Sequence, residues 1–361
     1  MLLIDNETVA KILHMKGCME ALETGYRDLA AERAVYRGRI DIFVPNDDPK
    51  LIYRWGTMEG ASRSFETFAI RMKSDMMEWP EGKTAEKYCV EPGTYCGLVL
   101  VFSTRNAEPL AIINDGVIQH MRVGGCAGLG VKYMAREEAR KVGMLGSGGM
   151  ARSYLHAFKE VRDIRQVKVY SPSREHREAY AREMAETLAI EATPVESAQE
   201  AVGGADIVAT CTDSVRPVLG DPAWIEEGMH ITCVKPLEIA PEVARSCDLV
   251  ARLGIETCDS ANQPTRRIGG MAALIAGSER EAARITNAGK EMSVEGYPFL
   301  TDIVSGRVSG RASAKQKSLL FNEGTQGLQF AATAGYVVRE AMRRKLGREI
   351  PRSWFLQNIR D

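Results

Sequence analysis

A glycine-rich turn with fixed spacing is the strongest chemical signal in the sequence. Residues 141–151 read Lys-Val-Gly-Met-Leu-Gly-Ser-Gly-Gly-Met-Ala and contain Gly146-x-Gly148-x-x-Ala151. The first glycine permits a tight turn after a strand, the second lets backbone approach a pyrophosphate at a helix start, and the alanine permits close helix–sheet packing. An apolar strand precedes the turn and a second strand follows it, as a dinucleotide site requires. The alternative is a glycine turn that binds nothing.

The predicted cofactor contacts extend from this turn to the ends of neighbouring strands. Ligands of parallel sheets collect at the carboxyl ends of the strands, so two further strand ends are expected to border a nicotinamide, although both would also fit ordinary turns. The residues predicted in this way are Gly146, Gly148, Gly149, Met150 and Ala151 at the turn, and Thr210, Thr212, Val234 and Lys235 at the strand ends.

The end of the second strand bears on the choice between NAD and NADP. NAD sites place Asp or Glu there for the ribose 2′-hydroxyl, whereas NADP sites supply Arg and hydroxyls. The first acid here is Glu175, inside the apparent helix start, so the sequence favours NADP, with NAD as the second choice. The alternative is that a serine caps the helix and the arginines face water. The candidate ligands of a 2′-phosphate are Ser171, Ser173, Arg174 and Arg177.

Alternating strands and helices after Lys141 must position these residues. Strands are predicted at 142–145, 167–170, 207–210, 230–234 and 249–251, with helices after the glycine turn and at 174–188. This alternation is typical of parallel βαβ units and of the α/β fold class. The preceding part mixes both elements, with helices at 16–32 and 116–137 and strands at 39–45, 51–55, 68–73, 98–103 and 109–114.

The composition indicates a two-domain globular protein and argues against several function classes. The 361 residues amount to about two domains at roughly 150 residues each, and 47 basic and 48 acidic residues leave a net charge of −1. Nucleic-acid binding would show a basic excess, and a membrane span needs about 18 uninterrupted apolar residues. The N-terminus lacks the basic region of a signal peptide. We therefore expect a cytoplasmic protein with a small-molecule substrate and no nucleic-acid or membrane partner.

Cysteine and histidine usage argues against metal binding. The eight cysteines include no C-x-x-C pair, and the five histidines are scattered along the chain. Reduced thiols in a cytoplasm fit this pattern better than a disulfide framework or a zinc site. No metal is therefore expected.

Several motifs besides the glycine turn resemble the ornithine cyclodeaminase and mu-crystallin family, over residues 1 to about 340. Ala107 replaces a glycine of the family pattern, which is one departure from it. The matching segments are residues 1–5 (MLLID), 71–73 (RMK), 107–111 (AEPLA) with Asp-Gly at 115–116, 121–127 (MRVGGCA), Gly-Arg at 306–307 and 320–325 (LFNEGT).

This resemblance implies an architecture and an activity. A Rossmann-type NAD(P)-binding domain, residues 138–298, would be inserted into a discontinuous α+β substrate-binding and dimerisation domain, residues 1–137 and 299–361, and the protein would be a homodimer. Family members transfer hydride between NAD or NADP and a carbon–nitrogen bond beside a carboxylate. We expect an imine reductase or amino-acid dehydrogenase. The alternatives are an ornithine-type cyclodeaminase and a mu-crystallin-like NADP-binding protein with weak turnover.

The resemblance also implies substrate residues. Arg39 and Arg122 stand at the family's carboxylate-binding arginines, with Arg37 as an alternative to Arg39. Arginine suits this task because its planar fork matches a carboxylate. Lys73 stands at the family lysine, which would bind the carboxylate or supply a proton to nitrogen, and Thr94 stands at a small hydroxyl position of the pocket. Lys73 and Arg122 are the expected catalytic residues.

One departure from the family pattern narrows the function. Cyclodeaminases carry an acid in the loop after the strand that ends here near Val234, where this chain has Lys235. Glu238 matches a structural glutamate that follows the loop. The missing acid favours redox chemistry on an imine or amino acid over ornithine deamination. Lys235 would contact the cofactor or substrate, or extend into solvent.

Two further departures lie elsewhere in the chain. Gln329 replaces an aspartate that many members have near the start of the closing helix. The segment 75–91 is several residues longer than is usual in the family. Its apolar residues would roof the pocket, or the segment would form a solvent-facing loop anchored by Trp79. The residues concerned are Met76, Met77, Trp79 and Tyr88.

Overall fold

Two β-sheets organise the chain. The computed structural model describes residues 1–79, 85–254, 265–268, 272–276, 294 and 296–359, with 265–268 and 272–276 as backbone only. The strands are β1 (Leu2–Ile4), β2 (Ala34–Tyr36), β3 (Arg39–Pro45), β4 (Ile52–Ser62), β5 (Thr67–Glu78), β6 (Glu86–Tyr88), β7 (Cys96–Ser103), β8 (Pro109–Asn114), β9 (Lys141–Leu145), β10 (Gln166–Tyr170), β11 (Glu191–Pro194), β12 (Ile207–Thr210), β13 (His230–Cys233), β14 (Leu249–Arg252), β15 (Thr265–Ile268), β16 (Ala272–Ala276), β17 (Ser318–Phe321) and β18 (Arg348–Glu349).

Helices cover the faces of these sheets. Three of them recur below: the central helix (Gly116–Met134), the fingerprint helix (Gly149–Val161) and the closing helix (Gln326–Arg344). The other described α-helices are Asn6–Ile12, Met15–Ala30, Arg174–Leu188, Ala198–Val202, Pro241–Arg245 and Leu300–Val304, and single 3₁₀ turns lie at Pro222–Trp224, Pro236–Glu238 and Arg352–Trp354.

The seven-stranded sheet is parallel throughout, with the order β11-β10-β9-β12-β13-β17-β14. Every residue of β12, β13 and β17 is buried, as expected for parallel strands covered by helices on both faces. Apolar clusters pack on the two sides of the sheet. The Rossmann-type α/β unit predicted from the alternation is therefore confirmed.

The eleven-stranded sheet contains the rest of the chain. Its path is β15-β16-β3-β4-β5-β7-β8-β1-β18, with β2 and β6 attached to β4 and β5. Buried residues alternate with half-exposed ones along β4, β5 and β7, so one face, here called the inner face, is covered. The helix Met15–Ala30 and the closing helix contribute to the apolar core beneath that face.

Two glycines bring the closing helix into backbone contact with β4. A Cβ built on Gly60 would meet the carbonyl carbon of Gly327 at 2.5 Å, and one built on Gly327 would meet the carbonyl oxygen of Glu59 at 1.9 Å. A side chain at either position would therefore separate helix and sheet. This contact sets the height of Gln329 and Phe330 above the inner face.

The strand pairing differs from the predicted division of the chain in two places. The strand β17, which the sequence patterns did not reveal, joins the parallel sheet although it lies in the predicted returning segment 299–361. The strand β16, inside the predicted range 138–298, pairs with β3 of the other sheet. The chain thus passes between the sheets more than once, and the residue ranges of the two domains stay a prediction.

Helix length and cysteine chemistry are two further features of the described residues. In those ranges, no helix is long and apolar enough to cross a membrane. The seven described cysteines are free thiols, and Cys258 lies outside the described residues.

Candidate active site

The glycine turn connects β9 to the fingerprint helix in the arrangement that a dinucleotide needs. Gly146 has a φ of +109°, and a Cβ there would meet the carbonyl oxygen of Cys211 at 2.1 Å, so only glycine fits. Gly148 occupies the cap position of the helix without any side-chain cap, and a Cβ there would meet nothing within 4 Å. Uncapped N–H groups with open space in front form an anion site. The turn therefore fits a pyrophosphate.

The remaining residues of the turn have distinct environments. Gly149 is exposed, and a Cβ there would lie 2.9 Å from Nε2 of His120 on the central helix. Met150 is half-buried and Ala151 is fully buried against the sheet. Sequence reasoning did not single out His120, because its proximity depends on the packing of two helices.

The four predicted 2′-phosphate ligands, which lie in and after the turn that follows β10, differ in their contacts and in their exposure to solvent. Ser173 caps the helix Arg174–Leu188 by accepting from the N–H of His176, and Ser171 is buried. Arg177 is also buried, donates to the carbonyl oxygen of Ser171 and pairs with Glu196. Arg174 is exposed, with its Nε 2.7 Å from Glu178. Of the two arginines, therefore, only Arg174 faces water; Arg177 holds the turn.

A buried glutamate joins the ends of β12 and β13. Glu238 accepts from the hydroxyl groups of Thr210 and Thr212 at 3.0 and 2.6 Å, and from the N–H groups of Thr212, Val234 and Lys235 at 2.6 to 3.1 Å. Both threonine hydroxyls thus support the loop. The loop backbone faces the carboxyl edge of the parallel sheet, where the nicotinamide was predicted.

The inner face of the other sheet carries a cluster of charged side chains. Asp41, Gly56, Lys73 and Gly97 stand side by side across β3, β4, β5 and β7. A Cβ on Gly56 would meet Asp41 Oδ1 at 2.4 Å and Lys73 Cγ at 3.3 Å. The glycine therefore leaves the room into which these charged groups extend.

Each carboxylate of this cluster pairs with a neighbouring cation. Arg39 donates from Nε and Nη2 to Asp41 at 2.9 and 2.8 Å. Asp75 binds Lys73 Nζ at 2.7 Å and Arg54 Nε at 3.0 Å. In the same way, Arg71 Nε donates to Asp115 at 2.6 Å. The strand pleat places these groups on one face because they are two residues apart along their strands.

The environment of Lys73 suits proton exchange near neutral pH. Burial lowers the pKa of Lys73, repulsion from Arg54 and Arg39 lowers it further, and the attraction of Asp75 does not offset them, so the pKa falls to about 6. The ammonium and free amine forms are therefore both accessible at physiological pH. Burial acts to raise the pKa of Asp75, but Arg54 and Lys73 outweigh it and the pKa is lowered.

Arg122 lies in the second turn of the central helix, beside the same face. Its guanidinium forms no ion pair with a carboxylate of the described residues; it donates to the amide oxygens of Gln119 and Gln329 at 2.9 and 2.8 Å. It also stacks over Phe330, with Arg71 over the same ring, at 5.1 and 5.5 Å. Burial lowers the pKa of Arg122 to about 10, so the group stays charged at neutral pH. A buried guanidinium with neutral partners is suited to an anionic ligand.

The structure does not bring Thr94 into this cluster. Thr94 is exposed, and its hydroxyl donates to the carbonyl oxygen of Glu91 at 2.7 Å and to that of Cys89. Arg37, the alternative to Arg39, is also outside the cluster, since its Nε donates at 2.9 Å to Glu59. Of the two arginines, Arg39 is therefore the one that joins Lys73.

The long segment 75–91 is a strand extension rather than a free loop. Residues 75–78 complete β5, and β6 pairs back onto it with Met77 opposite Lys87 and Met76 opposite Tyr88. Met77 is buried against Phe43, Ile52 and Trp79, whereas Met76 and Tyr88 are half-buried. The expected roof over the pocket is thus in part a packed β-hairpin, although residues 80–84 lie outside the described part.

Sequence reasoning missed several members of the cluster. Cross-strand pairing brings them together, and the sequence gives no direct sign of that pairing. A signal was present only for Arg71 and Asp75, which stand two residues on either side of Lys73 and so share its face. The missed residues are Asp41, Arg54, Arg71, Asp75, Lys87, Asp115 and Phe330.

The central helix connects the two parts of the site. A Cβ on Gly124 would meet the carbonyl oxygen of Ser153 in the fingerprint helix at 2.5 Å, so the two helices touch through their backbones. Arg122, two residues earlier, is fixed to Gln329 of the closing helix. The glycine turn and the charged inner face are thereby held by the same helix.

Known proteins share this architecture over nearly the whole chain. The model of the ornithine cyclodeaminase/mu-crystallin family matches residues 91–345. A Delta(1)-pyrroline-2-carboxylate reductase of Bacillus cereus is 23% identical over 350 residues, which cover 97% of this chain and 99% of the relative. The ketimine reductase mu-crystallin of Macropus fuliginosus is 28% identical over 156 residues, 42% of this chain and 48% of the relative. The structure of Thermococcus litoralis Delta(1)-pyrroline-2-carboxylate reductase in complex with NADH and L-proline superposes with a TM-score of 0.74 at 25% identity, covering 97% of this chain and 100% of that one.

Proposed function

The chain belongs to the ornithine cyclodeaminase/mu-crystallin family, and on that premise we propose that it is an NAD(P)-dependent imine reductase or amino-acid dehydrogenase. It would transfer hydride to and from the α-carbon of an α-imino or α-amino acid. The observation that carries this proposal is the half-buried Lys73, set between Arg39 and Asp75 on the sheet that faces Arg122. The relatives named as pyrroline-2-carboxylate and ketimine reductases support the same chemistry.

The residues around the glycine turn fit a nicotinamide dinucleotide. When bound, that cofactor supplies or accepts the hydride. The backbone N–H groups of the fingerprint helix would hold its pyrophosphate, and the loop that Glu238 fixes would border the nicotinamide. NADP is the preferred form in this proposal, because Ser171, Ser173 and Arg174 occupy the turn where an NAD site has an acid.

Arg122 and Lys73 have separate tasks in this proposal. Arg122, with only neutral partners and a stacked ring, would bind the α-carboxylate, and Arg39 would assist after rearranging from Asp41. Lys73 would deliver a proton to the substrate nitrogen during reduction and remove it during oxidation. Each transferred hydride then has a matching proton, and the lowered pKa of Lys73 makes both directions accessible.

The loop after β13 favours redox chemistry over deamination of ornithine. Lys235 stands where the family resemblance places the acid of cyclodeaminases. Glu238, the next acid along the chain, already accepts five hydrogen bonds from the loop and the strand ends. No described residue of this loop is therefore free to accept the proton of a substrate amine.

The outer face of the eleven-stranded sheet supports a homodimer. Half-exposed apolar side chains form a continuous patch across β5, β7 and β8, larger than scattered surface residues would give. A second copy of the same face would cover it. The free thiols are consistent with a reducing compartment, so the cytoplasm is the proposed location. The patch comprises Phe68, Ile70, Met72, Leu98, Leu100, Phe102 and Ile112.

Nicotinamide fluorescence and absorbance test the proposal. Purified protein is mixed with NADPH or NADH and with cyclic imino acids such as Δ1-pyrroline-2-carboxylate, or with α-keto acids plus ammonium. We expect oxidation of the reduced cofactor, faster with NADPH, and a loss of at least 100-fold in kcat for Lys73→Met. Ammonia release from ornithine without activity on any imine would instead indicate the cyclodeaminase, and cofactor binding without turnover would indicate a binding protein.

A further inference from the structure

The charged cluster contains more cations than carboxylates. Six basic side chains and three acidic ones interact electrostatically around Lys73 in the described part of the chain. The lowered pKa values of Lys73 and Lys87 leave both lysines partly deprotonated near neutral pH, which relieves part of this surplus, and a bound anion would relieve it further. The basic residues are Arg39, Arg54, Arg71, Lys73, Lys87 and Arg122, and the acidic ones are Asp41, Asp75 and Asp115.

Two of these cations have no carboxylate partner in the described ranges. The other four are paired: Arg39 with Asp41, Arg54 and Lys73 with Asp75, and Arg71 with Asp115. Arg122 is held by two amide oxygens, and Lys87 forms no ion pair with a described residue. One unneutralised cation is already assigned to the α-carboxylate, and the second is without a function.

Lys87 is well placed for a ligand that also reaches Lys73. It lies on β6, opposite Met77 of β5, which is two residues beyond Asp75 on the same face. Burial and repulsion from Arg54 and Arg39 lower the pKa of Lys87 to about 7, and the attraction of Asp75 and Asp41 does not offset them. Arg54 is paired with Asp75 across β4 and β5, so the strand register places Lys87 and Arg54 on the same face of the sheet.

The two unneutralised cations lie on opposite sides of Lys73. Arg122 shares a ring with Arg71, two residues before Lys73 on β5, whereas Lys87 is level with Met77, four residues after it. Strands rise about 3.3 Å per residue, so the levels of Arg71 and Met77 are about 20 Å apart at their Cα atoms, and long side chains shorten that gap. A ligand whose reacting nitrogen is near Lys73 would thus meet a cation at each end.

We propose that the substrate carries a second anionic group, a carboxylate at the far end of its side chain, which Lys87 and Arg54 bind. The inference rests on the proposed function for the position of the α-carboxylate and of the imine. The substrate class is then an α-imino dicarboxylic acid.

A pair of matched α-keto acids tests the inference in the reductive direction. With ammonium and the reduced cofactor, 2-oxoglutarate is compared with 2-oxopentanoate, which has the same chain length without the second carboxylate. We expect kcat/KM to be at least 30-fold higher for the dicarboxylate. Lys87→Met should lower that ratio at least tenfold, and Lys87→Arg should restore it in part. The matched control is Lys315→Met, an exposed lysine paired with Glu227, which should leave the ratio unchanged.

A binding measurement separates this inference from the proposed function. In the presence of oxidised cofactor, glutarate should raise the melting temperature of the wild type more than pentanoate does, and Lys87→Met should remove the difference. Equal turnover or equal stabilisation by the two ligand types would overturn the second anionic subsite while leaving the reductase intact. A failure of every imine and keto acid to oxidise the cofactor would overturn the proposed function, and the glutarate comparison would still decide whether Lys87 binds a carboxylate.

Discussion

The surroundings of Lys73 set the protonation of its amine. Asp75 is shared between Lys73 and Arg54, so it neutralises only part of the positive charge around the amine. Burial and the repulsion from Arg54 and Arg39 outweigh the attraction of Asp75, and the pKa of Lys73 falls to about 6. A lysine in this state can donate a proton and take one back at nearly equal cost.

We expect the pH dependence of the reaction to report this group. The acid form of Lys73 is needed for reduction, so kcat/KM for imine reduction should fall as pH rises through about 6. The free amine is needed for oxidation, so kcat/KM for amino-acid oxidation should rise through the same pH. Both profiles are measured from pH 5 to 9, where kcat/KM reports the free enzyme. In Lys73→Met, the residual kcat/KM should no longer change with pH near 6. The same pH dependence in that variant as in the wild type would contradict the assignment to Lys73.

Gln329 keeps the charge of Arg122 available. Its side-chain oxygen accepts from Arg122 while its amide donates to the carbonyl oxygen of Gly324 at 2.6 Å, so the residue is fixed at both ends. In Gln329→Glu a carboxylate would compete with the substrate for the guanidinium. We expect KM for the imine to rise about tenfold, or about 1.4 kcal/mol, with kcat within threefold of the wild type. Gln199→Glu, the same change on an exposed helix, is the control; an unchanged KM in Gln329→Glu would refute the role.

At the scale of elements, Glu238 connects the ends of β12 and β13 through hydrogen bonds. Its carboxylate binds backbone on both sides of the cofactor loop, and an amide in its place would oppose the N–H groups of Val234 and Lys235 with a donor. Glu238→Gln should therefore lower the free energy of unfolding by about 2 kcal/mol and weaken nucleotide binding. Urea unfolding and fluorescence titration with NADPH measure the two effects. Glu242→Gln, at an exposed glutamate paired with Arg245, is the control, and an unchanged midpoint in Glu238→Gln would contradict the prediction.

The sequence predicted those helices and strands whose bounds are marked by residues close to them in the chain. The helix Arg174–Leu188 and the strand Ile207–Thr210 have the bounds expected from the sequence, because a serine cap begins the one and an apolar run with turn residues bounds the other. The strand Ser318–Phe321 was missed because four buried residues have no periodicity, and its place between β13 and β14 depends on a long-range connection.

Pairing between distant parts of the chain also decides which residues form the site. Lys73, Arg39 and Arg122 were found from a resemblance, and the structure places them around one face. The sequence did not indicate Lys87 as a member of the cluster, because the segment that contains β6 was interpreted as a roof or a loop. The pairing of β6 with β5 places this lysine beside the cluster. Thr94 was matched by its order along the chain and lies in an exposed turn outside the cluster, so its role in the pocket stays a prediction.

At the scale of the whole molecule, the two faces of the eleven-stranded sheet differ in character: the inner face is charged and the outer face is apolar. The inner face holds the charged cluster, and the same alternation along β5 that directs Arg71, Lys73 and Asp75 inward directs Ile70 and Met72 outward. Leu100 on β7 is level with Ile70 and completes the centre of the outer patch. An assembly through the outer face would therefore support the strand that carries Lys73, the proposed proton donor.

We expect Leu100→Arg to separate the proposed dimer, because two guanidinium groups would face each other at the centre of an apolar interface. Sedimentation velocity should show the wild type at twice the mass of one chain and the variant at one, with circular dichroism unchanged, since arginine is tolerated on a solvent-facing strand position. Met342→Arg, at an exposed site on the closing helix, is the control and should remain dimeric. The variant monomer should also lose activity, because the unsupported β5 and β7 would let Lys73 and Asp75 move apart. A wild type that sediments as a single chain, or a Leu100→Arg variant that stays at the double mass, would rule out this face as the interface.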